Sequence, residues 1–252
     1  MKKLLLLALF AHPIWAKPIV LIGHFDPFGN AAFNNSTVVA KALQKRFHNS
    51  KDIDLRLCEL STSFDKAFGE LEACAKELPT TPALVLGIGE TACALKIETM
   101  ARNLDHTYGP DNDGVERIQK PIVPGSPNVL GITAPVAEMW CGLDLRSQRV
   151  VPVSSNAGSF VCNNMMYQYL HTYPEQNFSF IHVPSNNCRR LERMNQENIP
   201  RIEAMIHAGV KAKSIGAIPT TKKEINLLRK TLKNNCQDTF YSKIKGSDER
   251  GF

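Results

Sequence analysis

Apolar and polar positions along the chain switch repeatedly between a period of two and a period near 3.6, which separates strands from helices. "PIVLIGHFDPFGN" opens as a short continuous apolar run, Pro18–Gly23, and reads as a buried strand entering a loop. "STVVAKALQKRF" (36–47) has helical spacing with Ser36 as an expected N-cap. "DIDLRLCEL" alternates as a strand does, and "SFDKAFGELEACAKEL" is amphipathic and helical, with Ser63 placed to cap it. "TPALVLGIGE" is a short apolar strand ending in glycines. "ALKIETMARN" reads as the next strand, before the turn-rich "YGPDNDG". Residues 147–153 and "NFSFIHVP" supply two more strands. "NIPRIEAMIHAGV" and "TKKEINLLRKTLKNN" are expected as late helices. Strands alternating with helices predict an α/β fold: a three-layer α/β/α domain around a mostly parallel, twisted central sheet. Active groups in such a domain gather in loops beyond the strand C-termini.

The 252 residues suit one domain of this kind, and a hydrophobic share of 43% is enough for a sizeable core. The N-terminus stands apart from the pattern. In "MKKLLLLALFAHPIWAKP" two lysines precede the apolar run Leu4–Ala11, then Pro13, then Ala16. That is the order of a secretory signal, with cleavage expected after Ala16, and the run is too short to span a bilayer. The expected organisation is therefore residues 1–16 as a signal peptide and 17–252 as one domain. An exported, periplasmic or secreted location follows, with no stable membrane insertion once the signal is removed.

Charge adds one feature. The net +6 is concentrated in residues 189–252, which hold 14 Lys/Arg against 7 Asp/Glu. This basic third is read first as solvated helix faces, and second as a surface for an acidic partner or membrane. No zinc-type pair and no nucleic-acid motif accompanies it, so nucleic acid is not an expected partner. Seven cysteines are present: Cys58, Cys74, Cys93, Cys141, Cys162, Cys188 and Cys236. An odd number leaves at least one thiol without an intrachain partner, and the spacing does not assign pairs.

One of the seven has a distinctive setting. In "SSNAGSFVCNNMMYQYLH" (154–171), Val161, Met165 and Tyr169 share a helical stripe, and Cys162, Met166 and Leu170 share the next. A helix beginning near Ser159 puts Cys162 in its first turn, with Asn156 or Ser159 able to cap. There the helix dipole favours a thiolate and free N–H groups can hold an oxyanion. Buried cysteines are common, so a packed core thiol is the plain alternative. A cysteine nucleophile also needs a base and a group to orient it. "FIHVP" offers His182 at a strand end before a Pro-containing loop. "LKIETMARN" offers Glu98, a carboxylate that is costly in an apolar strand unless paired.

Four blocks then resemble the pyroglutamyl peptidase I (pyrrolidone-carboxylate peptidase) family of cysteine peptidases. They are "GHFDPFGNAAFNNS", "LGIGETACALKIETMARN", "SSNAGSFVCNNMMYQYLH" and "FIHVP", together covering about residues 18–184. The resemblance implies Cys162 as nucleophile, His182 as base and Glu98 as the group that orients His182. It implies peptide substrates with an N-terminal pyroglutamate, acyl transfer through a thioester, and no metal or cofactor. Phe25, Phe28, Phe160 and Val161 would wall an apolar pocket, Asn34 would support its loop, and the Ile88 backbone would meet the lactam amide.

Three departures go with the match. Ala92 and Tyr108 occupy positions where the family has Arg, and Gly109 stands where it has an apolar residue. The basic segment from about 189 no longer follows the family's usual end, so an oligomer is open but family-type oligomer contacts are not carried over. The alternative reading is a non-catalytic or very slow member that binds blocked peptide N-termini.

Overall fold

The computed structural model describes residues 16–107 and 109–212, and beyond them Cys236, Asp238, Thr239, Ser242 and Lys243. The expected helix in "TKKEINLLRKTLKNN", the apolar run Leu4–Ala11 and Tyr108 all lie outside the described residues.

A six-stranded sheet runs through the middle in the order β2-β1-β3-β8-β4-β7. Its strands are β1 (Ile19–Phe25), β2 (Asp54–Leu60), β3 (Leu84–Thr91), β4 (Lys96–Glu98), β7 (Val153–Ser154) and β8 (Phe178–Pro184). The first four in spatial order are parallel. β4 joins β8 antiparallel, and β7 joins β4 parallel. Two short strands, β5 (Met100–Arg102) and β6 (Val129–Gly131), form a separate antiparallel pair. The central strands β1 and β8 are buried along their whole length, as a sheet covered on both faces requires.

Helices α1 (Asn35–Phe47), α3 (Val136–Cys141) and α6 (Leu191–Lys211) pack together on one face. Helices α2 (Ala67–Lys76) and α5 (Val161–Thr172) pack on the other. This is the expected three-layer α/β/α arrangement. The chain leaves β1 toward β2 on one side and returns to β3 on the other. Such a reversal opens a crevice beyond the strand C-termini, and the loops after β1, β3 and β8 all emerge there.

Several boundaries differ from the sequence reading. Residues 147–153, expected as a strand, are mostly a short helix, α4 (Leu145–Val150), with only Val153–Ser154 in the sheet. The reason is local: the Asp144 side chain accepts from Ser147 N and caps a helix there. Its apolar residues Leu145 and Val150 face solvent instead of a strand's core face. For α1 the cap is Asn34, not Ser36, because the Asn34 side chain accepts from Ser36 N. For α2 a turn intervenes after Ser63, so the helix starts at Ala67 and Ser63 contributes only its backbone carbonyl, to Ala67 N. The late helix α6 begins at Leu191, ahead of "NIPRIEAMIHAGV", and carries Pro200 within it.

Six of the seven cysteines are joined. Cys58–Cys74 ties β2 to α2. Cys93–Cys188 ties the turn after β3 to the segment after β8. Cys141–Cys236 ties the end of α3 to the C-terminal region. Cys162 alone keeps a free thiol.

Candidate active site

β8 carries His182 near its C-terminal end, opposite Gly89 of β3 on one side and Lys96 of β4 on the other. Residues laterally paired in a sheet share a face. Gly87, Gly89, Phe180, His182 and Glu98 therefore all present to the α2/α5 side. Glu98 pairs with Phe180, which places its side chain diagonal to His182, a distance long side chains span in an antiparallel pair. His182 Nδ1 and Glu98 Oε1 are 2.8 Å apart, and both residues are buried. Nδ1 carries the proton toward the carboxylate, leaving Nε2 as the second ring nitrogen.

The third group arrives from α5, which lies across the same face. The helix starts at Val161 with Phe160 as N-cap, so Cys162 is its second residue. The first-turn placement is as expected, but neither proposed cap acts. Ser159 Oγ donates to His106 O, and Asn156 Oδ1 accepts from Gly158 N in the preceding turn. Phe160 makes no side-chain cap bond, so among the described residues the first N–H groups keep their capacity to hold an oxyanion. Cys162 Sγ and the His182 ring meet over Gly89, each within contact distance of a Cβ placed there. Burial pushes the His182 imidazole down, but the neighbouring Cys162 and Glu98 outweigh it and raise its pKa to about 9. At neutral pH the ring is therefore an imidazolium, with a proton to give.

The glycines of "LGIGE" make this contact sterically feasible, a role the sequence reading missed. A Cβ on Gly89 would stand 2.7 Å from Cys162 Sγ and 3.3 Å from His182 Cδ2. One on Gly87 would stand 2.3 Å from the Phe180 ring, which itself packs edge-on against His182. The alternating glycines at a strand end were the available signal.

Pocket candidates fall into two groups. Phe28 is half exposed and meets Phe160 edge-on with ring centroids 5.3 Å apart, so these two form an aromatic wall beside the Cys162 turn. Phe64, not anticipated, backs Phe160 in the same way at 5.2 Å. It lies in the "SFDKAFGELE" segment, whose periodicity marks only a helix. Phe25, Val161 and Ile88 are core residues, each at most 2% exposed. Ile88 is laddered to both β1 and β8, one residue before Gly89. Asn34 holds the loop after β1: its Nδ2 donates to Asp26 O while its Oδ1 caps α1. Asp26 Oδ1 accepts from Thr62 N and from Asn112, which also donates to Pro27 O, so loops 26–29, 61–64 and 111–115 are bonded together.

A free cysteine in a helix's first turn, beside an imidazole that is bonded to a buried carboxylate, is the arrangement of a cysteine hydrolase working by acyl transfer. The comparisons narrow the class. The pyroglutamyl peptidase family model matches residues 18–222, and the chain belongs to that family. The pyrrolidone-carboxylate peptidase of Pyrococcus furiosus is 30% identical over 188 residues, 72% of this chain and 88% of that protein. Its counterpart in Klebsiella pneumoniae is 33% identical over 172 residues, 66% of this chain and 77% of that protein. Among solved structures, a mutant pyrrolidone carboxyl peptidase from P. furiosus superposes with a TM-score of 0.65 at 26% identity. It covers 77% of this chain and 98% of that one. The family match runs past residue 189, into the basic segment where the motif-by-motif resemblance ended.

Proposed function

We propose that this protein is a cysteine exopeptidase that removes an N-terminal pyroglutamyl group from peptides, with Cys162 as nucleophile, His182 as acid and base, and Glu98 orienting His182. The observation that carries the residue roles is the convergence of Cys162 and His182 over Gly89 with His182 bonded to Glu98. Cys162 attacks as the thiolate of a thiolate–imidazolium pair, forming a C–S bond to the carbonyl carbon that joins pyroglutamate to the next residue, and first-turn N–H groups receive the oxyanion. As the tetrahedral adduct collapses, the C–N bond breaks and imidazolium His182 gives its proton to the leaving amine. Water then attacks the thioester with its proton passing to the now neutral His182, the C–S bond breaks, and free pyroglutamate leaves with the thiolate–imidazolium pair restored. The aromatic wall of Phe28 and Phe160 suits a small, flat, uncharged lactam. The assembled set argues against the purely binding alternative, which requires no cysteine beside a carboxylate-bound histidine.

The protein is further proposed to act outside the cytoplasm, after cleavage of the signal near Ala16, as the single domain 17–252. Support comes from the three disulfides, which persist in oxidising compartments. Among the described residues, no helix is long and apolar enough to cross a membrane. The test is the purified mature chain with pyroglutamyl-p-nitroanilide. Release of p-nitroaniline by the parent and none by Cys162→Ala is expected; turnover unaffected by that substitution rejects the assignment. N-terminal sequencing of protein recovered from its host is expected to begin near Lys17, and an intact Met1 overturns the export reading.

A further inference from the structure

The residues flanking Cys162 are bonded to one short segment on the far side of the helix. Ser159 Oγ donates to His106 O, and His106 N donates to Ser159 O. Asn163 Oδ1 accepts from Arg102 N, while its Nδ2 donates to Arg102 O and Leu104 O. Asn164 Nδ2 donates to both carboxylate oxygens of Asp105, at 3.0 and 2.9 Å. Segment 102–106 thus grips the chain three residues before the nucleophile and one and two residues after it. The same segment continues back through β5 to Glu98, which holds His182. A single stretch, 98–106, therefore spans from one end of the triad to the other.

What holds this stretch is a buried ion pair. Asp105 is fully buried and its carboxylate lies 2.7 Å from Arg117 Nη1. The Asp105 backbone forms a two-bond bridge with Lys120, and Thr107 N donates to Arg117 O. Arg117 is itself mostly buried, pairs also with Asp65, and lies 4.8 Å over the ring of Phe64, which backs Phe160. A pair this enclosed is a weak source of net stability, but removing one partner strands the other's charge. Its structural effect falls on the Cys162 turn.

We propose that Asp105, held by Arg117, is a positioning residue that sets the approach of Cys162 to His182. The proposal rests on the reading of Cys162 as the nucleophile. Displacing a reacting group by about 1 Å can cost on the order of 10² in rate. Asp105→Asn keeps the size of the side chain but loses its charge toward Arg117. It is expected to lower kcat on pyroglutamyl-p-nitroanilide by about tenfold to a hundredfold, with KM changed by less than about threefold. Arg117→Met is expected to do at least as much harm. Adding Asp105→Asn to Arg117→Met should restore part of kcat, because no buried carboxylate is then left without its cation.

The second readout needs no substrate. Cys162 is the free thiol, so its iodoacetamide labelling rate in the native protein reports its own setting, and that rate should fall in Asp105→Asn alongside kcat. Parent kcat and parent labelling rate with only a lower melting temperature overturn the proposal, as does a change confined to KM. If Asp105→Asn does not fold, Arg117→Lys decides: it keeps the charge but not the fork. A kcat lowered at least about threefold at parent KM supports positioning, and parent values reject it. Should the parent itself not turn over the substrate, the functional reading fails and the labelling rates still decide the positioning role.

Discussion

The two ends of the central sheet are built on opposite plans. At the C-terminal ends of β3 and β8, side chains crowd together: His182 and Glu98 are buried, and Gly89 leaves just enough room for Cys162. At the other end, beside the starts of β1 and β2, a cavity of about 780 Å³ opens among Lys17, Lys45, Phe47, His48 and Arg56. It has volume and charge, but its charges are settled separately and near solvent. Lys17 Nζ donates to Ser50 O, and the exposed Arg56 pairs with Asp54 beside it. The crowded end buries His182 and Glu98 bonded to each other, with the partly buried Cys162 beside them, and low exposure strengthens that bond. Reactivity here follows from close, largely desolvated contact between unlike groups, which the roomier hollow lacks.

The strongest way to break the contrast is to remove the sulfur. Cys162→Ala is expected to lower turnover of a pyroglutamyl amide by at least about four orders of magnitude while the fold persists. In the native parent, alkylation without reductant should add one label, at Cys162, because the other six cysteines are bonded to one another. Mass spectrometry showing two or more labels would contradict the disulfide assignment.

Next in size is the imidazole and its partner. Glu98→Gln is expected to cost less than His182→Ala, though loss of an orienting carboxylate can reach about 10⁴ in kcat. The pH profile sharpens this. Burial lowers the His182 pKa, yet Cys162 and Glu98 together raise it to about 9. The imidazole thus keeps its proton below that pH, and kcat/KM should fall as pH rises through about 9. Glu98→Gln removes one of the raising influences, so the alkaline limb should move to lower pH. The linked stability has the same sign: a pKa raised above the unfolded value contributes fully below pH about 6.5 and is lost as pH climbs through about 9. An alkaline limb that stays in place in Glu98→Gln would show that Glu98 does not tune His182.

A smaller effect is expected at the edge of the crowded end. Cys93–Cys188 joins the loops that follow β3 and β8 and closes 95 residues of sequence. Replacing both cysteines by serine should reduce unfolding free energy by about 2–4 kcal/mol in denaturant titrations. Unchanged stability would mean that the sheet alone holds these loops. The smallest effect belongs to the opposite end. Lys45→Ala and His48→Ala, both exposed beside the cavity, should leave kcat/KM within about twofold of the parent. A tenfold loss from either would make that end part of the working site.

Much of the scaffold was legible because its signals are local. The apolar runs of β1, β3 and β8 and the 3.6 period of α1 and α5 fall where the sequence predicted them. Where local signals compete, the reading failed. Residues 147–153 carry strand-compatible apolar residues, but the Asp144 cap selects a helix. The short connection "ALKIETMARN" has the pattern of one strand and is divided between two sheets, β4 and β5. The first-turn position of Cys162 is likewise local, since it follows from the spacing of Val161, Met165 and Tyr169.

Sequence by itself therefore determined the succession of strands and helices, the resemblance carried by four blocks, and the identity of one cysteine, one histidine and one glutamate as candidates. Only the tertiary structure decided that Glu98 reaches His182 across 84 residues of chain and that Gly89 admits the sulfur. It also decided which six cysteines pair, and that Asp105 and Arg117 underlie the Cys162 turn. The physical reason is the range of the interactions. Periodicity and capping act within a turn or two of backbone. Contacts between distant residues exist only once sheet register and helix packing have brought their side chains onto one face.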